Sequence, residues 1–194
     1  MEITTEIIKK LRDETGVSVM QCKKALEEAG GDLEKAKIIL RKQSSTAASK
    51  KADRALGAGL ASAYTHAGGQ VVAAVVLACE TDFVARNEEF AKLAYAIAMH
   101  VAAMDPVWIT RNEVVDEDLA AARSVFEKEV QAVAEGNRAK ALEGKIASFV
   151  KERTLLEQPF VKDPSVTVQT LIEQAVQKFG EKVEVVRMER LSVK

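Results

Sequence analysis

Nine consecutive apolar residues, Val71-Val-Ala-Ala-Val-Val-Leu-Ala-Cys79, constrain this chain more than any other stretch. The run is far shorter than the roughly 18 residues of a membrane-spanning helix. Apolar positions on both faces predict a strand that is central in its sheet and covered on both sides. Upstream, Leu56, Ala58, Leu60, Ser62 and Tyr64 alternate with glycines and small residues. His66-Ala-Gly-Gly69 lies between the two runs and has turn composition, so residues 55–80 read as a β-hairpin.

Helical periodicity governs the rest. Ile3, Ile7 and Leu11 share one face of a helix that Gly16 stops. Ser18 to Gln21 has capping-box spacing and opens a second helix, continued by Ala25, Leu26 and Ala29 and ended by Gly30-Gly31. Asp32 caps a third, with Leu33, Ala36, Ile39 and Leu40 as its stripe. Residues 1–42 therefore form a small three-helix bundle, of a size that is marginal alone. Residues 43–54, QSSTAASKKADR, are small, polar and basic and read as an exposed linker or a solvated helical tether. Past the hairpin, Asn87 caps a long helix with Phe90, Leu93, Ala94, Ile97, Val101 and Met104 inward, stopped at Pro106. Two further patterns, 113–135 and 138–156, fold back on each other around Gly136-Asn137 as an antiparallel pair. Residues 155–164 hold two prolines and read as an extended connector. Val168 to Phe179 is amphipathic and closed by Gly180, and Lys182 to Val193 reads as a last strand. Residues 55–194 thus form an α+β core: a small antiparallel three-stranded sheet with helices against it. A sheet that narrow has open edges, which a partner or a second copy must cover.

Charge and chemistry narrow the function. Twenty-eight basic residues balance 29 acidic ones, so bulk charge gives no reason to expect nucleic-acid or membrane binding. The N-terminus has neither a signal-peptide core nor a transit-peptide composition, which points to a cytoplasmic protein. The two cysteines, Cys22 and Cys79, lack any CxxC spacing and read as small core residues rather than ligands of a metal. There are two histidines, His66 in the turn and His100 beside the apolar stripe of the long helix. No phosphate loop or dinucleotide fingerprint exists, and the glutamates follow helix surfaces. The expectation is a binding protein rather than an enzyme, with no cofactor and no metal.

The segment Glu80-Thr-Asp-Phe-Val-Ala-Arg-Asn-Glu-Glu-Phe90 then becomes informative. It puts an acid and a large aromatic side by side at a strand-to-helix tip. Thr81-Asp-Phe-Val-Ala-Arg-Asn87 resembles the signature of the translation elongation factor Ts family of nucleotide exchange factors. Leu11-Arg-Asp-Glu-Thr-Gly16 with Cys22-Lys-Lys-Ala-Leu26 resembles the family's N-terminal segment, and Gln158-Pro-Phe-Val-Lys162 a later one. The three occur in the family's order and span nearly the whole chain.

The resemblance implies a GTPase partner, elongation factor Tu, and faster release of its bound GDP. It implies that the bundle is similar to a ubiquitin-associated domain and grips the partner's nucleotide domain near Lys23. Asp82 and Phe83 are then expected against helices of that domain, flanked by Thr81, Val84, Arg86 and Asn87. The turn holding His66 is expected near another domain, with Val161, Lys162, Phe179 and Gly180 as further contacts. On this resemblance Phe83 is a wedge; the alternative is that it folds inward and caps the local core. Many family members carry two core repeats, whereas this chain has one hairpin, one signature and one closing strand. Short members dimerise, and with no cysteine after Cys79 a C-terminal disulfide cannot hold such a dimer, so a non-covalent homodimer is expected. The competing function is an adaptor whose bundle binds a helical or ubiquitin-like partner. A third reading, an RNA- or ribosome-associated protein, rests on the basic linker and requires salt-dependent RNA binding.

Overall fold

The structure is a computed structural model that describes residues 3–193. Met1, Glu2 and Lys194, at the outer limits of the two predicted units, lie outside the described residues. Among the described residues the chain forms eight α-helices and five strands, an α+β fold. The first three helices, α1 (Thr5–Thr15), α2 (Val19–Glu28) and α3 (Leu33–Ser49), make the bundle. Each begins where a side-chain oxygen meets an orphan amide: Thr4, Ser18 and Asp32 accept from Ile7, Gln21 and Glu34 respectively. Leu11, Val17, Cys22, Ala25, Leu26, Ala36 and Leu40 are its buried centre.

The segment read as a linker or a solvated helical tether is helical as far as Ser49 and partly buried. α3 runs on to Ser49, and its C-terminal half lies against α8 (Val168–Phe179). Ser44 is buried, donates to the Leu40 carbonyl and is paired with Gln177, while Ser45 donates to Glu173 at 3.3 Å. Ala48 packs on the main core. The small residues that read as an exposed linker or a solvated helical tether are what allow two helices to approach closely.

The main sheet is antiparallel with order β1-β2-β5, from β1 (Ala58–His66), β2 (Val71–Cys79) and β5 (Val183–Ser192). β1 and β2 pair in unbroken register from Ala58–Cys79 to His66–Val71. Their turn uses positive φ at Ala67, Gly68 and Gly69, which explains the glycine pair. β2 is central, as its composition requires, but it is covered on one side only. Ala73, Val75, Leu77 and Cys79 are buried in a core with Phe90, Ala94, Ile97 and Val101 of α5 (Glu88–Met104) and Val168, Ile172 and Val176 of α8. Val72, Ala74 and Val76 face the other way and are half-buried, beside exposed Ala61 and Ala63 of β1. Met104, placed inward by periodicity, is exposed at the last turn of α5.

α6 (Asp116–Glu129) and α7 (Arg138–Arg153) form the expected helical hairpin. Phe126 meets Phe149 edge-to-face, Lys145 reaches Glu129 at 2.7 Å, and Trp108, Leu119 and Val150 make a small core of their own. The predicted extended connector is instead partly paired: β3 (Pro159–Phe160) and β4 (Asp163–Thr167) form a two-stranded sheet. Pro159 and Pro164 are tolerated because both strands are edges. Arg111 clamps the start of this segment through two 2.7 Å bonds to Glu157.

Candidate functional site: two ends of one sheet

The fold sorts the candidate residues of the core, all but Lys23, to opposite ends of the hairpin. Nine-residue strands set those ends about 30 Å apart.

At one end β2 runs into α4 (Asp82–Ala85), a single turn, and then α5. Phe83 is 82% exposed, the most exposed of the large hydrophobic side chains among the described residues. It does not fold inward. Val84 does: it is 4% exposed and belongs to the main core, so it anchors the turn and is not surface. Asp82 and Arg86 form an exposed i,i+4 pair at 3.1 Å. Asn87 is the N-cap of α5, its side chain accepting from the Glu89 amide at 2.8 Å. Thr81 is held from across the sheet, its amide and hydroxyl both donating to the Glu181 carboxylate, at 3.0 and 2.6 Å.

Phe179 and Gly180 belong to this same end. Gly180 closes α8 at φ 73°, and Phe179 packs edge-to-face on Phe90 at 5.8 Å. Lys178 bonds Glu89 at 2.6 Å, joining the end of α8 to the start of α5 and holding the Glu89 carboxyl below its ordinary pKa. Gly57 lets the chain enter β1 close to this corner, since a Cβ there would lie 2.9 Å from the Glu80 carbonyl oxygen.

The opposite end gathers His66, Val161 and Lys162. With Tyr64, Met99 and Ala102 they line a mainly apolar cleft of about 250 Å³. The His66 ring accepts or donates a 3.1 Å bond to the Tyr64 hydroxyl, and Tyr64 stands edge-on to Tyr95. Beneath lies His100, fully buried and stacked on Phe160. Its Nδ1 accepts from the Val161 amide at 3.1 Å, so its Nε2 carries the proton and donates to Gln158 Oε1 at 2.8 Å. Burial pushes its pKa down, the bond to Gln158 opposing, which keeps the ring neutral. His100 is thus the support of the Val161–Lys162 turn. Arg190 of β5 ties the same end to α5 through the Ala102 carbonyl and Asp105.

Lys23 belongs to neither end. It is exposed on α2 in a 3.8 Å pair with Glu27. Both cysteines are buried free thiols whose pKa values burial raises. Glu181 and His100 are the positions that sequence reasoning left out of the candidate site. Their partners lie about 100 and 60 residues away, and no local pattern carries that information.

The molecule is an α+β module that presents two separate surfaces at the ends of one sheet. Residues 48–194 match the family model of elongation factor TS. The chain is 42% identical over 195 residues to the elongation factor Ts of Fervidobacterium nodosum, covering 100% of this chain and 99% of the relative. It is 43% identical to that of Coprothermobacter proteolyticus, covering 98% of each. With the elongation factor Ts of Desulforamulus reducens it shares 45% over 193 residues, 97% of this chain and 88% of the relative. The chain belongs to the elongation factor Ts family, and its role is that of a translation elongation factor. No helix among the described residues is long and apolar enough to cross a membrane.

Proposed function

We propose that the protein speeds GDP release from elongation factor Tu, with Asp82 and Phe83 entering between helices of the partner's nucleotide domain. It acts in the cytoplasm and by binding alone, with no chemistry on a small molecule. The observation that carries this reading is Phe83: a phenyl ring 82% exposed on a turn whose neighbour Val84 is anchored in the core. Leaving such a ring in water forgoes about 2–3 kcal/mol of burial. A partner groove recovers it, and a buried aromatic anchor is the usual form of an energetic hot spot. Shifted partner helices disturb the magnesium and phosphate environment without the wedge touching the nucleotide. Asp82 is free to take part because its pair with Arg86 is exposed and cheap to break. Lys23, His66, Val161 and Lys162 supply affinity from other directions. Coupling is reciprocal: whatever the factor costs GDP, GDP costs the factor.

The test is stopped-flow release of a fluorescent GDP from elongation factor Tu, with and without the protein and with Phe83→Ala. Strong acceleration that the substitution abolishes, while the complex still forms, supports the wedge. Acceleration that survives Phe83→Ala removes the wedge and keeps the exchange. Binding without acceleration leaves an adaptor and sinks both.

The open face of the main sheet favours a non-covalent homodimer, with Val72, Ala74 and Val76 of one copy against those of another. Sedimentation of wild type and Ala74→Glu tests it. A dimer that the charge dissociates is the expected result, and a wild-type monomer at tens of micromolar would refute it.

A further inference from the structure

Glu181 lies between Gly180, which closes α8, and the start of β5. Its Oε2 accepts from the Glu80 amide at 3.1 Å and the Thr81 amide at 3.0 Å, and its Oε1 accepts the Thr81 hydroxyl at 2.6 Å. The exchange is mutual. Glu80 accepts from the Lys182 amide at 2.6 Å and from Arg54 at 3.2 Å. Two segments a hundred residues apart are clasped by each other's carboxylates, and the clasp closes on the residue before Asp82.

That placement matters because α4 cannot orient itself. It has four residues, too few for a helix to hold its own direction. Thr81 occupies its N-cap position, where a hydroxyl ordinarily accepts a bond from the helix's own first-turn amides. Here the Thr81 side chain makes no such bond; it gives its proton outward to Glu181. The start of α4 is therefore set by a side chain from the far end of the chain. The direction of Phe83 rests on two fixed points on either side of it, Val84 in the core and Thr81 in the clasp.

We propose that Glu181 is a positioning residue for nucleotide exchange: it fixes the Glu80–Thr81 backbone so that Asp82 and Phe83 meet the partner in one orientation. This rests on the wedge reading above. A side chain ordered before contact loses less entropy on entering a groove, and small errors in its aim cost much of the effect. Losing the clasp lowers the maximal release rate more than it lowers affinity, because Lys23 and the His66 end still bind. The recognising chemistry is an acceptor, not a charge. An amide can replace it, since a glutamine oxygen can take both backbone N–H groups while its nitrogen donates to the Thr81 hydroxyl.

The experiment is the same GDP-release assay on the full chain, titrated to saturation, for Glu181→Ala, Glu181→Gln, Phe83→Ala and the double variant Phe83→Ala/Glu181→Ala. Amide hydrogen exchange at Glu80 and Thr81 is followed in the free proteins. Glu181→Ala is expected to lower the maximal rate about tenfold and shift half-saturation by less than about threefold. Glu181→Gln should recover most of the rate, the double variant should be no slower than Phe83→Ala, and Thr81 should lose protection only in the two variants that carry Glu181→Ala. If Glu181→Ala fails to fold, Glu181→Met, which keeps the stem and lacks the oxygens, takes its place. A wild-type maximal rate in Glu181→Ala with a slow Phe83→Ala overturns the positioning role and leaves the wedge intact. A wild-type rate in Phe83→Ala overturns the wedge itself. A Glu181→Gln as slow as Glu181→Ala makes Glu181 a charged contact of the partner, which also overturns the proposal.

Discussion

The two ends of the hairpin are built on opposite principles. At the Phe83 end the proposed wedge stands in solvent, and the backbone beneath it is fixed by carboxylates bonding to amides. At the His66 end the surface is an apolar cleft, and its support is a neutral imidazole buried under the Val161 turn. Hydrogen bonds to backbone fix direction, and an apolar cleft offers area. The arrangement suits a protein that must aim one side chain and hold on elsewhere. It also implies that the ends can be damaged separately.

The largest separable effect should come from His100. Replacing it with alanine removes the ring stacked on Phe160 and leaves Gln158, itself 1% exposed, short of a partner. A loss of about 3 kcal/mol is expected, read by urea unfolding. The maximal GDP-release rate of the surviving folded protein should change by less than about twofold, because Phe83 is at the other end. A rate that falls along with stability would break the comparison and couple the ends. The same residue has a pH signature. Its folded pKa lies below the ordinary 6.5 because burial disfavours the cation. The unfolded chain therefore binds the extra proton more readily, so His100 contributes fully above about pH 6.5 and loses its contribution as pH falls through the folded value. Glu80, Glu89 and Glu157, held below 4.5 by their partners, lose theirs only in more acid solution. Thermal midpoints should thus begin to drop near pH 6.5 in wild type but not in His100→Gln.

How much of this was legible in the sequence depended on range. The caps at Ser18, Asp32 and Asn87, the hairpin turn and the stripe of α8 are local, and each formed where its residues indicate. The exposure of Phe83 was legible only as a question, since the same residues allow the ring to turn inward. The two-stranded sheet β3–β4 was hidden by Pro159 and Pro164, which erase periodicity without preventing a short edge pairing. Small residues in 43–49 read as an exposed linker or a solvated helical tether, and the contact with α8 that makes them a packed helix lies more than a hundred residues away. The second face of β2 is as apolar as the first in sequence, yet this chain leaves it half open. The partners of Glu181 and His100 were illegible for a plainer reason: a hydrogen bond across about a hundred or sixty residues leaves no pattern near either partner.

The smallest effect sharpens the comparison most. Lys178 and Glu89 form a 2.6 Å ion pair at the Phe83 end, close to the clasp, and on distance alone it looks stronger than any bond Glu181 makes to backbone. The Glu89 side chain is 57% exposed, so water and salt screen the attraction. A double-mutant cycle with Lys178→Ala and Glu89→Ala should return about 0.5 kcal/mol, shrinking further in 0.5 M salt. Exchange by Glu89→Gln should match wild type, because the Asn87 cap continues to fix the start of α5. Glu181→Ala removes bonds of ordinary length but takes away acceptors from two amides and a hydroxyl just ahead of Asp82 and Phe83. If Glu89→Gln slowed exchange as much as Glu181→Ala, the Phe83 end would be held by its overall charge pattern, and backbone-directed bonding would lose its claim to be what separates the two ends.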